Sequence, residues 1–402
     1  MNDKELINNN ELKFIDLFCG IGGFHQALKD LGHKCILACD IDKACREVYK
    51  KNYGIEPVNN VKDINPEKLE DFDIICAGFP CQAFSNGGKK LCFEDSRGLL
   101  FDEIIRIAKV KKPSFMFLEN VKHILKVNNG EVIRYIKQKI DETGYELQLF
   151  QLSPHEYGIP QQRERIYFVC VRKDIYKENF SLIHEKKKPN FMDFLDTCDT
   201  CDKVEKVNKK YFIYGDILNC LESWDKIVKK FKKGEKISPT IMINDYYKYY
   251  SENEFNQLAT WRKDYMTKNL TLINKYQKEF DEFYAENNEI LTKRNIYGQL
   301  DWQCGNIKEN DSIFNYFIQI RQSGIRVKKT EYFPTLVAIS QIPIYGKEKR
   351  YITPRECARL QGFPESFIID SNDKNAYKQF GNSVCVENVK NVIESCLKHY
   401  KI

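Results

Sequence analysis

The sequence lacks any apolar run long enough to cross a membrane, which excludes a membrane-embedded protein. Its first ten residues are polar and mixed in charge, so we expect no secretory signal peptide. No segment has the restricted composition of a low-complexity tract, and we expect the whole chain to fold. A chain of 402 residues can bury a large core and is expected to form two domains.

Metal-binding patterns are also scarce, although the chain has 15 cysteines. Cys198-x-x-Cys201 has the spacing of half a zinc site, but no second pair of this kind and no HxxH pattern accompanies it, so we expect no metal. An odd cysteine count without a signal peptide indicates reduced thiols in a cytoplasm rather than a disulfide framework. The net charge of +6 permits a nucleic-acid partner without demonstrating one.

The N-terminal part begins like a nucleotide-binding β-α-β unit. An apolar run over 12–18 is followed by the glycine-rich turn 19–23 and then by a helical pattern. His25 stands where the dinucleotide fingerprint has its third glycine, which disfavours a pyrophosphate ligand. Asp40 ends the next apolar run, where such folds place a ribose-binding acid; the alternative is that it caps the following helix. Ribose without pyrophosphate fits S-adenosylmethionine better than NAD.

Residues 73–77 form a short apolar run, which is typical of a strand buried on both faces of a parallel sheet. Gly78 and Pro80 break this run and place Cys81 beyond the carboxyl end of the strand, where ligands bind in open α/β sheets. A thiol at this position is a candidate nucleophile, and the alternative is one more small buried cysteine. The polar stretch 86–98 predicts a surface loop beside the site.

Further polar side chains are expected at the same edge of the sheet. Residues 61–64 bring Asp63 there, and Glu119 directly follows an apolar strand pattern. A carboxylate is costly in the core, so we expect Glu119 to be paired or to lie at the end of the sheet, a helix cap being the alternative. Arg163 and Arg165 are two apart on a predicted strand and would share one face, which suits an anion or a carbonyl-rich ligand. A solvated strand edge is the alternative for the two arginines.

The middle of the chain differs in composition from its two ends. Residues 203–236 contain ten lysines and five acidic residues, which is typical of a solvated face and alternatively of a surface that faces phosphates. Residues 251–294 show one long helical pattern whose apolar stripe predicts core packing. The final helical pattern has one apolar face, which we expect to pack on the first domain. The expected segments are a catalytic part over 1–186, a second, smaller domain over 187–350 and a return segment over 351–402.

Taken together, these segments resemble the motifs of the DNA cytosine-5 methyltransferases, with a spacing similar to that of the small bacterial HhaI-type modification enzymes. Several motifs in one order are much more specific than any single motif. The likeness covers 13–173 and 350–402 and thins out between them, where this family has its variable target-recognition region. The matching motifs are Phe14-Ile15-Asp16-Leu17-Phe18-Cys19-Gly20-Ile21-Gly22-Gly23, Gly78-Phe79-Pro80-Cys81-Gln82, Glu119-Asn120-Val121, Gln162-Arg163-Glu164-Arg165 and Gly381-Asn382-Ser383.

The resemblance implies an α/β fold, with a Rossmann-like methyltransferase domain on a mixed, mostly parallel sheet and a smaller target-recognition domain. It implies transfer of a methyl group from S-adenosyl-L-methionine to C5 of a cytosine flipped out of a short, specific duplex sequence, with S-adenosyl-L-homocysteine as product. In this family's chemistry, the thiolate of Cys81 adds to cytosine C6. Glu119 protonates ring atom N3 or donates a strong hydrogen bond to it. Arg165, with Arg163 beside it, would bind the cytosine O2 and orient the carboxyl group.

The resemblance also assigns the remaining contacts. The residues implied to bind the cofactor are Phe18, Gly20 and Gly22 around methionine and adenosine, Asp40 at the ribose hydroxyls, Asp63 and Ile64 at the adenine, Asn382 and Ser383 at the methionine end, and Ile41 and Pro80. The residues implied to contact DNA are Gln82, Ser85 and Thr335, of which Thr335-Leu336 matches a Thr-Leu pair of the recognition region.

The expected partner is double-stranded DNA, and the protein is expected to act as a monomer in a bacterial cytoplasm or nucleoid. A cognate restriction endonuclease that forms no stable complex with it is also expected. One alternative is a tRNA cytosine-5 methyltransferase with the same core, which the DNA-enzyme pattern at 79–84 disfavours. A catalytically silent DNA-binding homologue is disfavoured by the joint presence of Cys81, Glu119 and both arginines, and an NAD oxidoreductase by His25. Because the middle region is longer than in the compact relatives, the target sequence cannot be taken from them.

Overall fold

The structure, a computed structural model, describes residues 11–80, 99–196, 207–248, 250–339 and 341–402. The chain divides into two compact units, which we call the first unit (Met1–Asn190 and Cys357–Ile402) and the second unit (Phe191–Glu356). The boundaries expected from the sequence, after residues 186 and 350, lie a few residues earlier.

The first unit contains a six-stranded sheet with the order β2-β1-β3-β4-β6-β5. The three pairings β1–β2, β1–β3 and β3–β4 are parallel, and β6 is antiparallel to β4 and β5. The expected mixed, mostly parallel sheet is therefore confirmed. All four residues of β3 are buried, as the continuous apolar run predicts. The strands are β1 Lys13–Leu17, β2 Lys34–Cys39, β3 Ile74–Ala77, β4 Phe115–Val121, β5 Tyr145–Leu152 and β6 Arg165–Arg172.

Helices cover this sheet, as the apolar character of its strands on both faces requires. The order of the strands reverses at β1, since β2 lies on one side of it and β3 on the other. In open α/β sheets, such a reversal leaves a crevice at the carboxyl ends of the strands. The helices in the N-terminal part are α1 Gly23–Asp30, α2 Lys43–Tyr53, α3 Leu99–Lys111 and α4 Glu131–Glu142.

The second unit has its own six-stranded sheet, with the order β12-β11-β9-β10-β8-β7. Apolar residues from one face of this sheet, including Leu300 and Ile325, share a core with Trp224 and Phe280. The strands are β7 Thr240–Met242, β8 Gln299–Gln303, β9 Phe317–Arg321, β10 Gly324–Lys328, β11 Ile344–Tyr345 and β12 Arg350–Tyr351. The helices are α5 Gly215–Lys230, α6 Ile243–Tyr247, α7 Glu252–Gln257, α8 Thr260–Lys275 and α9 Gln277–Lys293.

The single long helix expected over 251–294 is wrong, because the chain forms the three helices α7, α8 and α9 there. Leu258 ends α7 in an extended conformation, and Tyr276 leaves the helical region between α8 and α9, with φ −119° and ψ 34°. Tyr276 is held there by tertiary contacts, since its hydroxyl donates to Glu235 at 2.7 Å. The apolar stripe is buried around Phe280, whereas Trp261 near its start is 55% exposed.

The C-terminal segment contributes α10 Pro354–Leu360, α11 Asp373–Asn382 and α12 Val386–Tyr400. Helix α12 belongs to the first unit, where Ser395 Oγ accepts a hydrogen bond from the backbone N–H of Ile183 at 3.0 Å. The ring of Tyr400 packs edge-on against Phe115 of β4, with 5.5 Å between centroids. The predicted apolar face is buried along its whole length, at Val386, Val389, Ile393, Cys396 and Tyr400.

Three absences hold within the described ranges. No helix there is both long and apolar enough to span a bilayer. The cysteines of these ranges are all free thiols. The same ranges contain no group of three or more His, Cys, Asp or Glu side chains that could hold a metal ion.

Candidate functional site

A cavity of about 500 Å³ lies in the first unit at the carboxyl ends of β1, β2, β3 and β4. Because these four strands are parallel, the segments that follow them meet at one edge of the sheet. Ten residues that the sequence assigns to the site line this cavity, namely Phe18, Gly20, Asp40, Ile41, Pro80, Glu119, Arg163, Arg165, Asn382 and Ser383.

The glycine turn between β1 and α1 depends on positive backbone angles. The φ of Gly20 is 53° and that of Gly22 is 89°, a region in which side chains cause strain. A Cβ atom on Gly22 would lie 2.3 Å from the ring of Tyr53. Gly22 is not among the residues that line the cavity. A glycine is required there because of the positive φ and the close contact with Tyr53.

Asp40 is fixed by backbone donors on both of its carboxylate oxygens. Oδ2 accepts from Gly20 N at 2.7 Å, and Oδ1 accepts from Asp42 N at 2.8 Å. The cap of α2 is Asp42, which accepts from the backbone of Ala44, so the alternative that Asp40 caps this helix is wrong. Burial raises the pKa of Asp40. A carboxylate oxygen can accept more than one hydrogen bond, so Asp40 retains acceptor capacity at the cavity wall.

The segment 61–64 forms a 3₁₀ turn and does not bring Asp63 to the cavity, contrary to the expectation. Asn60 Oδ1 accepts from Lys62 N at 3.1 Å and so starts the 3₁₀ turn Val61–Asp63. Asp63 is exposed and Ile64 is buried, and neither lines the cavity. The cavity is lined instead by Asn59, Asn60 and Val61, and the paired asparagines were the turn signal that could have indicated this.

Glu119 lies within β4 rather than beyond its end, because the ladder with β6 continues as far as Val121. Its side chain is paired, with Oε1 lying 3.0 Å from Arg165 Nε. The residue is only 8% exposed. Burial raises the pKa of Glu119 and outweighs the neighbouring Arg165 and Arg163, which act to lower it. A carboxyl group in this environment can hold a proton near neutral pH.

Only Arg165 lies in β6, so the prediction that both arginines belong to one strand is wrong, although both line the cavity. Strand β6 begins only at Arg165, because the backbone N–H of Arg163 is taken by the hydroxyl of Ser153, at 3.0 Å. The buried Arg163 donates through Nη2 to the carbonyls of Gly381, at 3.1 Å, and Ser383, at 2.9 Å. Burial lowers the pKa of Arg163 to about 9, and the charge of Arg165 acts in the same direction. Arg163 therefore holds the C-terminal segment.

Asn120 of β4 holds the turn that follows β3. No role for the Asn120 side chain was predicted from the sequence. Asn120 Nδ2 donates to the carbonyl of Phe79 at 2.9 Å. The signal was available, because Asn120 directly follows Glu119 in a motif already recognised. Several residues predicted to act nearby lie outside the described residues, namely Cys81, Gln82, Ser85 and the stretch 86–98, as do Cys198 and Cys201.

Two further features of the cavity were not anticipated. Lys378 of α11 lines it, with Nζ 2.7 Å from Asp42 Oδ2, and this ion pair lowers the pKa of Asp42. Residues 19, 39 and 45 are cysteines that also contribute to the wall. Thr335 belongs to the second unit, where it is half-buried in the connection between β10 and β11.

Comparisons with known proteins show the family to which this chain belongs. A family model described as C-5 cytosine-specific DNA methylase matches residues 12–398. The Type II methyltransferase M.HhaI of Haemophilus parahaemolyticus is 30% identical over 386 residues, which cover 96% of this chain and 93% of that protein. M.HpaII of Haemophilus parainfluenzae is 33% identical over 385 residues, covering 93% of this chain and 86% of the relative.

A solved structure of an Entamoeba histolytica methyltransferase, EhMeth, superposes with a TM-score of 0.56 at 20% identity, over 97% of this chain and 98% of that one. At this identity the likeness shows the fold. The family match and the relatives confirm the DNA enzyme suggested by the motifs, in preference to the tRNA enzyme, the silent homologue or the NAD oxidoreductase. The chain therefore belongs to the C-5 cytosine-specific DNA methylases, which methylate cytosine in DNA.

Proposed function

We propose that this chain methylates a cytosine flipped out of a short, specific duplex sequence, with Cys81 as nucleophile, Glu119 as acid and Arg165 as the group that orients it. The observation that carries this proposal is the meeting of Glu119, Arg165 and Pro80 at one cavity. Pro80 is bonded directly to Cys81. The target base must leave the duplex, because side chains cannot reach C6 of a stacked cytosine.

The reaction needs a nucleophile because C5 of cytosine is itself a poor one. The thiolate of Cys81 adds to C6 and displaces an electron pair toward N3. Glu119 donates a proton to N3. S-adenosylmethionine, when bound, supplies the methyl group as a sulfonium electrophile. Once C5 is methylated, its proton leaves to a base, and the electron pair of that C–H bond forms the C5–C6 double bond and expels Cys81 as the thiolate. N3 returns its proton to Glu119, which releases 5-methylcytosine.

The environment of Glu119 supports its role as the acid. Burial raises its pKa, which favours the protonated carboxyl group that this role requires. Arg165 Nε, 3.0 Å from Oε1, fixes one oxygen of this carboxyl group. The guanidinium has further donors, and we propose that one of them binds the cytosine O2. Arg163 is a positioning residue, since its Nη2 donates to the carbonyls of Gly381 and Ser383.

The donor set of the cavity fits S-adenosylmethionine. Asp40 offers a carboxylate to the ribose hydroxyls, and the adjacent Ile41, 77% exposed, offers an apolar surface to the adenine. Asn382 and Ser383 would bind the methionine end. The volume of about 500 Å³ lies within the range of small-molecule sites. Asp63 and Ile64, expected at the adenine, are replaced in this proposal by Asn60 and Val61.

We further propose that the second unit selects the DNA sequence, since the residues assigned to catalysis and to the cofactor belong to the first unit. The biological setting would be a bacterial restriction–modification system, with the protein acting as a monomer in the cytoplasm. A restriction endonuclease of the same specificity would then share the DNA target without forming a stable complex.

The experiment that tests the proposed nucleophile uses duplex DNA in which the target cytosine is replaced by 5-fluorocytosine. Fluorine at C5 cannot leave as a proton, so in the presence of cofactor the adduct should persist and migrate as a covalent complex. Bisulfite sequencing of DNA from cells that express the protein first identifies the target. Cys92→Ser is the matched control and should still form the adduct. An equally strong adduct with Cys81→Ser would contradict the proposal.

A further inference from the structure

One face of the second unit's sheet is apolar along its length. The opposite face is mixed, because Phe317 and Tyr345 are buried on it against Phe191 and polar side chains lie beside them. Side chains alternate along each strand, so the residues between those that enter the core form the second face. On this face, Arg326 of β10 stands opposite Asp301 of β8 and Gln319 of β9. We call this surface the basic face, because it carries three cations and one carboxylate, namely Arg321, Arg326, Lys328 and Asp301.

The single carboxylate is already engaged. Arg326 Nε donates to Asp301 Oδ2 at 2.6 Å, and Gln303 Nε2 lies 3.3 Å from both oxygens of the same carboxylate. The two Nη groups of Arg326 make no hydrogen bond with any described residue. A guanidinium held through Nε keeps its planar pair of Nη donors together, in the geometry that binds two acceptors at once.

Arg321 forms no ion pair with any described residue, and the charge of Asp301 does not outweigh its burial and the charge of Arg326. It is half-buried, and its Nε is inaccessible to solvent without a hydrogen-bond partner. Burial and the charge of Arg326 both lower the pKa of Arg321. The same two causes lower the pKa of Lys328. The protein therefore bears the cost of partly desolvated positive charge on this face, which an acceptor-rich ligand would relieve.

The basic face ends in a tight hairpin. Arg321 is the last residue of β9 and Gly324 the first of β10, so only two residues, 322 and 323, connect the strands. Gly324 pairs directly with Arg321 and adds no side chain next to it. A Cβ atom at Gly324 would lie 2.6 Å from Gln299 Cβ. Arg321 is thus located at the hairpin between the two central strands of the sheet, with β8 beside β10 at this end.

We propose that the basic face is the surface that determines DNA specificity, with Arg321 and Arg326 donating to acceptors of the duplex. The inference rests on the proposed function, in which the second unit selects the sequence. Duplex DNA is the occupant because a partly buried excess of positive charge complements a polyanion. Paired acceptors occur at guanine O6 and N7 and on phosphates, and an arginine fork fits both.

The test uses the full chain and compares Arg321→Gln and Arg326→Gln with Lys278→Gln. The control removes one charge from α9 of the same unit, where the lysine side chain is 83% exposed. Binding to the target duplex and to a scrambled duplex is measured by fluorescence anisotropy over a range of salt concentrations. We expect a roughly 5- to 150-fold loss on the target for each arginine variant, the fold-change that corresponds to about 1–3 kcal/mol for one good base contact.

The pattern of loss distinguishes the two kinds of acceptor. A guanine contact predicts loss on the target duplex alone and a broadened methylation pattern in bisulfite sequencing. A phosphate contact predicts equal loss on both duplexes and a salt slope smaller by about one. Arg321→Gln removes no hydrogen bond or ion pair within the described fold, so its melting temperature and S-adenosylmethionine affinity should match those of the control.

The inference and the proposed function can fail separately. If the parent protein methylates DNA and both arginine variants bind and methylate as Lys278→Gln does, the inference is wrong while the proposed function stands. If the parent binds duplex through these arginines but methylates no cytosine, the proposed function is wrong and the DNA-binding face stands.

Discussion

A single buried carboxyl group, that of Glu119, is central to the chemistry proposed here. Its motif identified it in the sequence, where it follows four apolar residues. The sequence did not reveal that the strand continues through it or that Arg165 Nε lies 3.0 Å from its Oε1. Both facts depend on the antiparallel register with β6, which joins residues that lie far apart in the chain. The same register left Arg163 free to bind the C-terminal segment.

Replacing Glu119 by Gln removes the proton that N3 requires while keeping the shape of the side chain. We expect kcat to fall about 10²- to 10⁴-fold, the usual range for loss of a general acid. Methyl transfer from labelled cofactor to the target duplex measures this. Glu164→Gln, which changes an exposed neighbour paired with Lys122, should retain the parent kcat.

The pH dependence of stability gives a second test of the same variant. The raised pKa of Glu119 means that the folded protein binds its proton more tightly than the unfolded chain, whose carboxyl groups titrate near 4.3. Its stabilising contribution is complete below that value and is lost as the pH rises through the folded pKa. Urea unfolding should therefore show the parent losing stability relative to Glu119→Gln as the pH rises above about 4 and through the folded pKa. A constant difference would show that the folded pKa is not raised.

At the scale of helices and strands, local sequence patterns correctly predicted the elements that pack against apolar residues along their whole length. The apolar run of β3 and the stripe of α12 face apolar surroundings along their whole length, so pattern and structure agree. The segment 251–294 failed because helical periodicity does not show where a tertiary contact interrupts a helix, as at Tyr276. The segment 61–64 differs from the expectation because the side-chain cap at Asn60 starts a 3₁₀ turn, which places residues 59–61 rather than Asp63 at the cavity.

The junction between α1 and the C-terminal segment offers an element-scale prediction. A Cβ atom on Gly23 would lie 2.6 Å from Val384 Cγ2 and 3.0 Å from Ser383 Oγ, so one element must shift. Gly23→Ala should displace the segment that carries Ser383 and weaken S-adenosylmethionine binding at least tenfold, as measured by calorimetry.

Gly78→Ala is the matched control, because a Cβ atom there would lie 3.7 Å from Val384 Cγ1, an ordinary van der Waals contact. We expect this variant to bind the cofactor as the parent protein does. Equal affinity for Gly23→Ala and Gly78→Ala would mean that the position of the C-terminal segment does not matter for the cofactor.

For the molecule as a whole, the order of the motifs was informative where local patterns were not. The cavity joins residues about 220 positions apart, since Arg163 binds the carbonyl of Ser383. No periodicity links such residues, and only the resemblance of the whole set predicted that they meet. The basic face of the second unit had no such support, because it becomes apparent only once β8, β9 and β10 are in register.

The division into units leads to a prediction about exchanging sequence specificity. Arg350 is fully buried and donates to both carboxylate oxygens of Glu356, at 2.9 and 2.8 Å. An exchange of 191–356 moves this pair together, whereas an exchange of 187–350 separates its members. With a donor relative that has no cation at the position of Arg350, the second chimaera should lose about 3–5 kcal/mol of unfolding free energy, the cost of leaving one buried charge unpaired.

The first chimaera should remain folded and methylate the donor's sequence, because the exchanged unit would carry the specificity-determining surface with it. Urea unfolding compares the stabilities of the two chimaeras, and bisulfite sequencing identifies the target of each active one. An active first chimaera that still methylates the original sequence would place specificity in the first unit. Equal stability of the two chimaeras would show that the pair of Arg350 and Glu356 does not fix where the second unit ends.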